Sequence, residues 1–344
     1  MHNKYKFEQS NYLNKNRINS LLILFVCLLL SFKINAQPPE VDTNKPLPGE
    51  GVYGFLNRHG LDAQKNFNEF ITLNEGKFGA NNSLLAHKTY VLPLSKTTII
   101  EPLFGEALKE VTVTNNSLSG AIFYLIPGHG GPDPGASGNL GNERLDEDEY
   151  AYDITLRLAK CLMEFNAIVY LIIQDANDGI RDDKFLKYDT DETCMGEVIP
   201  LNQNERLKQR VDKVNDLYLE NKKAVYQRSI SLHLDSRKQD KQIDVFFYHY
   251  KTSKLGEELA NNMRLTLEEK YNRHQPNRGF RGTVGERNLY ELKFTLPTST
   301  FIELGNIQNF RDQQRFILNS NRQVLANWLA EGIVRDFQQN SSSK

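Results

Sequence analysis

Two histidines and a glutamate stand where apolar segments of the chain end. His129 lies in the glycine-rich turn of AIFYLIPGHGGPDPGASG (residues 121–138), after six residues that predict a buried strand. His233 closes the strand-like run in RSISLHLDS, and Glu303 closes the one in STFIELGN. Imidazoles and carboxylates bind zinc and transfer protons, so these positions are candidates for a metal centre or for acid–base catalysis. For His129 alone, a structural turn with only local hydrogen bonds is the alternative.

The elements that must position these groups alternate between strand and helix patterns. From residue 120 to 337 the alternation predicts one α/β domain with a largely buried sheet. In an open α/β sheet the carboxyl ends of the strands share one edge, where ligands bind. We therefore expect His129, His233 and Glu303 to converge. Polar residues also end apolar strands without any function, so the spacing alone leaves the metal site open.

A further ligand is expected from the acidic cluster in LDEDEYAYD, just before a helix predicted over residues 148–165. A helix dipole favours carboxylates at its N-terminus, and this is the purely structural explanation of the cluster. One member can instead point back across the glycine loop toward His129. Two imidazoles and one carboxylate leave an open position on zinc, as in catalytic sites. The members of the cluster are Asp146, Glu147, Asp148 and Glu149.

The first 36 residues have the pattern of an export signal. Basic residues precede an apolar run at 21–32, which is shorter than the roughly 20 residues needed to span a bilayer, and Ala36 offers a small residue for cleavage. We expect a signal peptide over residues 1–36, an exported protein, and no membrane anchor after cleavage. Loss of five basic residues and one acid moves the net charge from -1 to about -5, which does not favour nucleic acid as a partner.

Two cysteines remain after the signal, Cys161 and Cys194. Cys161 falls on an apolar helical pattern and is expected to be buried. A disulfide between the two stays open, because no spacing rule supports it. No CxxC pair exists, so a cysteine-based zinc site is excluded.

The remaining domain and linker boundaries are predicted from the amino-acid composition of each segment. Residues 37–48 are proline-rich and predict a linker, residues 96–119 are polar and predict a second linker, and the serine-rich tail 338–344 is expected to be disordered. Between the linkers lies a small unit over residues 49–95, with two short amphipathic helices and a final strand.

This small unit resembles a LysM module. The resemblance rests on the opening Gly51-Val52-Tyr53-Gly54-Phe55, on Leu73-Asn74, and on the strand from Tyr90 to Pro93. It implies binding to glycans that contain N-acetylglucosamine, chiefly peptidoglycan. A small packing domain that binds nothing is the alternative.

Five motifs occur in order within residues 120–337. They are PGHGG-x-DPGA-x-G at 127–138; the helix segment Asp153-Ile154-Thr155-Leu156-Arg157-Leu158; Leu207-x-x-Arg210 with Val214-Asn215; Ser231-Leu232-His233; and Glu303-Leu304-Gly305-x-Ile307-x-Asn309, preceded by Arg278-Gly279 and Pro297. Together they resemble the zinc-dependent N-acetylmuramoyl-L-alanine amidases of the type-3 amidase family. With the α/β pattern, we expect an open, mostly parallel sheet with helices on both faces, preceded by the LysM-like α+β module.

The resemblance implies Zn²⁺ held by His129, Glu147 and His233, with Glu149 as the neighbouring alternative to Glu147. Glu303 matches the family's catalytic glutamate. The implied reaction is hydrolysis of the amide bond between N-acetylmuramic acid and L-alanine in peptidoglycan, in cell-wall remodelling, daughter-cell separation or turnover. The implied location is the periplasm or a site facing the cell wall.

Further partners are the anionic stem peptides and, as an open question, a protein activator. Arginines that precede the Glu303 strand are candidates for contact with stem-peptide carboxylates, although solvated surface positions would explain them equally well. We add Asp235 to the candidate substrate contacts. The arginines are Arg278, Arg281 and Arg287.

The chain departs from the family pattern in four places. Ile126 stands where an Asp usually precedes the glycine loop, Asp235 replaces an Asn, and Ile172-Ile173 replace a Thr-Arg pair. The acidic segment 175–201 is longer than the family needs, and we expect a lid, a partner-docking loop or an inert insertion. No predicted ligand is lost, so the alternative function, a catalytically silent peptidoglycan-binding protein, is the weaker hypothesis.

Overall fold

The computed structural model describes residues 43–93 and 97–341. The expected signal peptide over residues 1–36 lies outside these ranges, as do residues 342–344 of the expected tail. None of the helices in the described part combines the length and the apolar character that a membrane span requires.

The N-terminal unit places two short helices between two paired strands. Strand β1 (Thr43–Asn44) is antiparallel to β2 (Tyr90–Val91), and helices α1 (Val52–Arg58) and α2 (Ala63–Leu73) lie between them in the chain. The first strand of the unit thus falls within residues 37–48, where we expected only a linker. The unit has its own small core, to which Val52, Phe55, Leu56, Phe70 and Tyr90 belong.

The segment between the two units is also structured. Strands β3 (Thr98–Ile100) and β4 (Glu110–Thr112) form an antiparallel hairpin, and Phe104, Val111 and Leu118 are buried in the core of the larger domain. The expected linker at 96–119 therefore packs on that domain. Its few apolar side chains are enough to anchor it there, because each of the three is almost completely buried.

The larger domain contains the remaining strands and helices. In chain order they are β5 (Ala121–Pro127), β6 (Ser137–Leu140), β7 (Glu143–Asp146), α3 (Glu147–Glu164), β8 (Ile168–Leu171), β9 (Ile173–Gln174), β10 (Thr193–Cys194), β11 (Glu197–Val198), α4 (Gln203–Glu220), β12 (Tyr226–Asp235), β13 (Phe246–His249), α5 (Lys254–His274), β14 (Thr283–Glu286), α6 (Tyr290–Phe294), β15 (Thr298–Asn306), α7 (Phe310–Ile317) and α8 (Asn319–Ser341).

Six of these strands form one open sheet in the order β14-β13-β15-β12-β5-β8. The four strands β15, β12, β5 and β8 are mutually parallel. Strand β13 is antiparallel to β15 and parallel to β14, so the strand direction reverses only between β15 and β13. The expectation of an open, mostly parallel α/β sheet is confirmed.

Helices cover both faces of the sheet because its central strands are apolar on both sides. Along β5, Phe123 and Leu125 join one core cluster, whereas Ile122, Tyr124 and Ile126 join another on the opposite face. This alternation follows from the two-residue period of a strand. The first cluster includes side chains from α3, α5 and α8, and the second includes Val214 of α4.

Two segments differ from the sequence expectations. The apolar run 167–173 is split: β8 is an edge strand with Ile168 about 50% exposed, and Ile173 pairs in a separate small sheet with β10 and β11. The helix expected over 318–337 is present as α8, but it continues to Ser341 in the expected tail, and a further helix, α7, precedes it. Cys161 and Cys194 are both buried and free, so the disulfide that the sequence left open is not formed.

Candidate metal centre

The glycine loop after β5 brings His129 close to the rim of the sheet through unusual backbone geometry. The φ of His129 is +66°, in the left-handed region that non-glycine residues rarely adopt. A Cβ on Gly128 would lie 2.4 Å from Nδ1 of His233, and one on Gly135 would lie 2.6 Å from the His129 ring. Only glycine at these two positions allows the two imidazoles to approach the loop backbone so closely.

Parallel pairing then brings the three predicted strand-end residues together. Strand β12 pairs with β5 on one side and with β15 on the other, and His233 lies opposite Glu303 in the register. The ring centroids of His129 and His233 are 5.0 Å apart. The convergence expected from the topology is therefore present in the structure.

Glu147, the first residue of α3, lies between the two imidazoles. It is 3% exposed; its Oε2 is 3.2 Å from His129 Nε2, and its Oε1 is 2.9 Å from His233 Nδ1. One donor atom from each of the three residues lies within 4.8 Å of the others. Glu149 is not part of this group, because its carboxylate pairs with Arg181 at 2.9 Å. Of the two acids left open by the sequence, Glu147 is the one that faces the histidines.

Backbone donors fix the Glu147 carboxylate in this position. The N–H of Ala136 donates to Oε2 at 2.8 Å, and the N–H of Leu234 donates to Oε1 at 3.0 Å. Burial acts to raise the pKa of Glu147, but the contacts with His129 and His233 outweigh it and hold the pKa well below its usual range. The carboxylate is therefore ionised and available as a ligand.

Asp133 orients His129 from the other side of the ring. Its Oδ2 is 3.0 Å from His129 Nδ1 and accepts a hydrogen bond from Arg206 at 2.7 Å. Asp133 belongs to the DPG motif, to which the sequence pattern assigned no role, and Ile126 stands where the family usually has an Asp. Asp133 supplies such a partner, since Ile126 is buried in the apolar cluster on one sheet face.

The same contacts set the charge of His129. Burial acts to lower its pKa, but Asp133 and Glu147 together raise the pKa of His129 to about 10. The pKa of Asp133 lies far below its usual range because it bonds to His129. Two carboxylates thus compensate one imidazole, and this cluster attracts positive charge, whether a proton or a metal cation.

Glu303 lines the same cleft but is differently placed. Burial, followed by the negative charges of Glu147 and Asp235, raises the pKa of Glu303 to about 8. Its Oε2 is buried without a hydrogen-bond partner among the described residues, as is Nε2 of His233. The cleft has a volume of about 340 Å³, and its wall includes His129, Glu147, His233, Phe301 and Glu303.

The candidate substrate contacts separate into two groups. Asp235 lines the cleft, and Arg287 lies close enough to influence Glu303 while its guanidinium covers the ring of Tyr248 at 4.9 Å. Arg278 and Arg281 instead line a separate cavity. The three candidate arginines are therefore not all at the cleft, and their role as stem-peptide contacts stays a prediction. The physical reason is Asp244, whose carboxylate accepts hydrogen bonds from the side chain of Arg278 and from the backbone N–H of Arg281.

The acidic segment 175–201 packs behind the glycine loop. Glu192 Oε2 accepts a hydrogen bond from the N–H of Gly131 at 2.8 Å, and the hydroxyl of Tyr188 donates to the carbonyl of Gly131 at 3.3 Å. No residue of this segment is among the described residues that line the cleft. The segment therefore contacts the glycine loop and does not line the cleft, and its role as a lid, a partner-docking loop or an inert insertion stays a prediction.

Known proteins resemble this chain over the larger domain. The family described as N-acetylmuramoyl-L-alanine amidase matches residues 124–335. The germination-specific N-acetylmuramoyl-L-alanine amidase of Bacillus subtilis (strain 168) is 24% identical over 224 residues, which are 64% of this chain and 81% of that protein.

Solved structures also match. The CwlD amidase from Clostridioides difficile, solved in complex with the GerS lipoprotein, is 20% identical with a TM-score of 0.48, over 64% of this chain and 99% of that one. Cwp6 from Clostridium difficile is 20% identical with a TM-score of 0.45, over 62% of this chain and 29% of that one.

Asp133→Asn tests the support of His129. We expect the affinity of the centre for Zn²⁺ to fall by about 10- to 100-fold, because loss of a carboxylate that orients a histidine ligand has effects of this size. Competition with a chromophoric chelator measures the affinity. Asp216→Asn, at an exposed position of α4, is the matched control. Equal affinity in both variants would contradict the role of Asp133.

Glu303→Gln tests the raised pKa in chelator-treated protein. A folded-state pKa of about 8, above the ordinary 4.5, means that protonated Glu303 stabilises the fold below about pH 4.5 and that this contribution is lost as pH rises through 8. Glutamine resembles the protonated acid. The variant should therefore gain stability relative to wild type between pH 5 and 9.

Denaturant unfolding at pH 5, 7 and 9 measures this difference. Glu286→Gln, at an exposed position of β14, is the control and should follow wild type. A pH-independent difference between Glu303→Gln and wild type would show that Glu303 is ionised at neutral pH in the metal-free fold.

Proposed function

Because the chain belongs to the N-acetylmuramoyl-L-alanine amidase family, we propose that it hydrolyses the amide bond between N-acetylmuramic acid and L-alanine in peptidoglycan. The observation that carries the proposal is the meeting of His129, Glu147 and His233 beside Glu303 in one cleft. Hydrolysis of an unactivated amide is assisted by a metal that polarises the carbonyl and by a group that transfers protons. A candidate metal centre next to a buried acid can supply both.

We further propose that the metal is zinc. Two imidazoles and one carboxylate are a common ligand set of catalytic zinc. At zinc–ligand bonds of about 2.0–2.1 Å and tetrahedral angles, neighbouring donor atoms lie about 3.3 Å apart. The contacts of Glu147 with the two histidines, 3.2 and 2.9 Å, are close to that spacing. When bound, zinc supplies Lewis acidity that polarises the scissile carbonyl and lowers the pKa of water.

Glu303 is the proposed general base and acid. It takes a proton from the attacking water and delivers it to the amine of L-alanine when the C–N bond breaks. In the metal-free fold the pKa of Glu303 is about 8, which suits the proton-donating step, and the positive charge of a bound metal would lower this pKa and favour the proton-accepting step.

Two neighbours hold the imidazoles in orientation. Asp133 accepts the Nδ1 proton of His129 and so leaves Nε2 facing Glu147. Phe301 stacks on the His233 ring, with centroids 4.1 Å apart, and limits its rotation. Neither residue needs to contact the substrate for these roles.

The N-terminal unit is proposed to bind the glycan strand. Its order of strand, helix, helix and strand, with β1 and β2 paired, agrees with the LysM-like pattern of the sequence. We also propose that residues 1–36 direct export, because peptidoglycan lies outside the cytoplasmic membrane. Binding by this unit without turnover is the alternative function.

Glu303→Gln also tests catalysis in the metal-loaded protein. We expect release of free stem peptides from purified sacculi to fall by roughly 10²–10⁴-fold, the usual contribution of a positioned acid–base group. Zinc content should stay unchanged. Mass spectrometry of the digests, with and without a chelator, measures the products. Glu197→Gln, an exposed change on β11, is the control. A zinc-loaded wild type that releases no stem peptide would leave only the binding function.

Deletion of residues 37–93 tests the glycan-binding role. In a Glu303→Gln background, which keeps sacculi intact, we expect the deletion to weaken co-sedimentation with sacculi at least ten-fold. Loss of the unit should not unfold the larger domain, because the unit has its own core. The melting temperature of the larger domain checks this point. Undiminished sedimentation of the folded deletion variant would refute glycan binding by the unit.

A further inference from the structure

A second group of carboxylates lies next to the glycine loop and outside the residues that line the cleft. Asp148 and Glu149 come from the first turn of α3, and Glu192 comes from the acidic segment 175–201. They are 2%, 3% and 7% exposed. One oxygen atom from each lies within 4.8 Å of the others.

The positive charge around this group does not match its negative charge. Among the described ion pairs, Arg181 is the basic side chain that contacts it, at 2.9 Å from Glu149 Oε2, and the same guanidinium also pairs with Asp178. Glu192 accepts a hydrogen bond from the N–H of Gly131. When all three are ionised, these carboxylates share one partly engaged cation, and the group then carries an excess of about two negative charges.

An independent observation is an unpartnered, buried oxygen atom within this group. Oδ1 of Asp148 accepts a hydrogen bond from the N–H of Glu149, but the Oδ2 atom is buried and has no hydrogen-bond partner among the described residues. A buried carboxylate oxygen is costly unless it is paired or coordinates a metal. Here it lies beside two more buried carboxylates, which makes an uncompensated arrangement still less favourable.

We propose that Asp148, Glu149 and Glu192 bind a hard divalent cation of the calcium or magnesium class. The available donors are carboxylate oxygens with no imidazole or thiolate among them, which favours these cations over zinc. Two positive charges match the excess negative charge. Water molecules complete the coordination, as both cations allow.

The position of the site assigns it a structural role. Glu192 connects the cation to Gly131 of the glycine loop, and Asp148 and Glu149 connect it to the helix that begins with Glu147. The bound cation fastens the acidic segment to two of the three elements that carry the first metal centre, the glycine loop and α3. This inference does not depend on the amidase activity.

The test uses Tb³⁺, whose luminescence is sensitised by nearby tyrosine, with the zinc-loaded chain. Tyr188 is suitable because its hydroxyl contacts Gly131 beside the proposed site. We expect one saturable luminescent site, displaced by Ca²⁺ or Mg²⁺, and a rise in melting temperature that saturates with the displacing cation. Luminescence displaced by neither cation would overturn the proposal.

Variants separate this site from the first centre. Glu192→Gln keeps the side-chain shape and an oxygen for the N–H of Gly131, and it should weaken Tb³⁺ binding at least ten-fold. Glu197→Gln, exposed in the same segment, should bind like wild type. Equal binding by Glu192→Gln and wild type would overturn the assignment.

The double variant His129→Ala/His233→Ala should retain the Tb³⁺ signal, because the proposed site uses neither imidazole. Circular dichroism and the melting temperature verify that it remains folded. Loss of the signal in the folded double variant would mean that Tb³⁺ occupies the first centre, and the proposal would fail.

Discussion

The arrangement of the larger domain depends on one buried carboxylate. Glu147 receives hydrogen bonds from two backbone N–H groups and faces two imidazoles, and these four partners come from the glycine loop and from β12. Its position at the start of α3 fixes the helix against both elements. Burial acts to neutralise this group, and the two imidazoles outweigh burial and hold its pKa well below the usual range. The same contacts of Glu147 therefore hold the helix in the fold and form the site.

The glycine loop is held in a conformation that its own sequence does not favour. The left-handed backbone of His129 is stabilised from several directions: the buried side chain of Arg210 donates to its carbonyl, and Asp133 bonds its ring. On the far side, Ile199 and Glu192 of the acidic segment contact Gly131. A strained residue persists where its surroundings determine it this fully, and such residues are concentrated at functional sites.

The sequence predicted those features that follow from strand topology, and it missed those that depend on long-range pairing. His129, His233 and Glu303 end parallel strands, so their meeting could be expected from the strand pattern. The choice between Glu147 and Glu149 could not, because both lie in the first turn of α3 and only the distant Arg181 distinguishes them. The pairing of Arg278 with Asp244 could not be expected for a similar reason, since the two residues lie 34 positions apart in the chain.

Glu147 and Glu303 lie in different electrostatic environments, which shift their pKa values in opposite directions. Glu147 is ionised by its partners, whereas Glu303 is buried with an oxygen that has no partner and feels the charge of Glu147. A cation bound at Glu147 would cancel that charge and lower the pKa of Glu303 toward its ordinary value. The proposed base would then be ionised more readily in the filled centre than in the empty one, while burial, the largest cause of its raised pKa, acts in both. Through this electrostatic coupling, the protein avoids a second buried charge in the empty site and gains a carboxylate base in the occupied one.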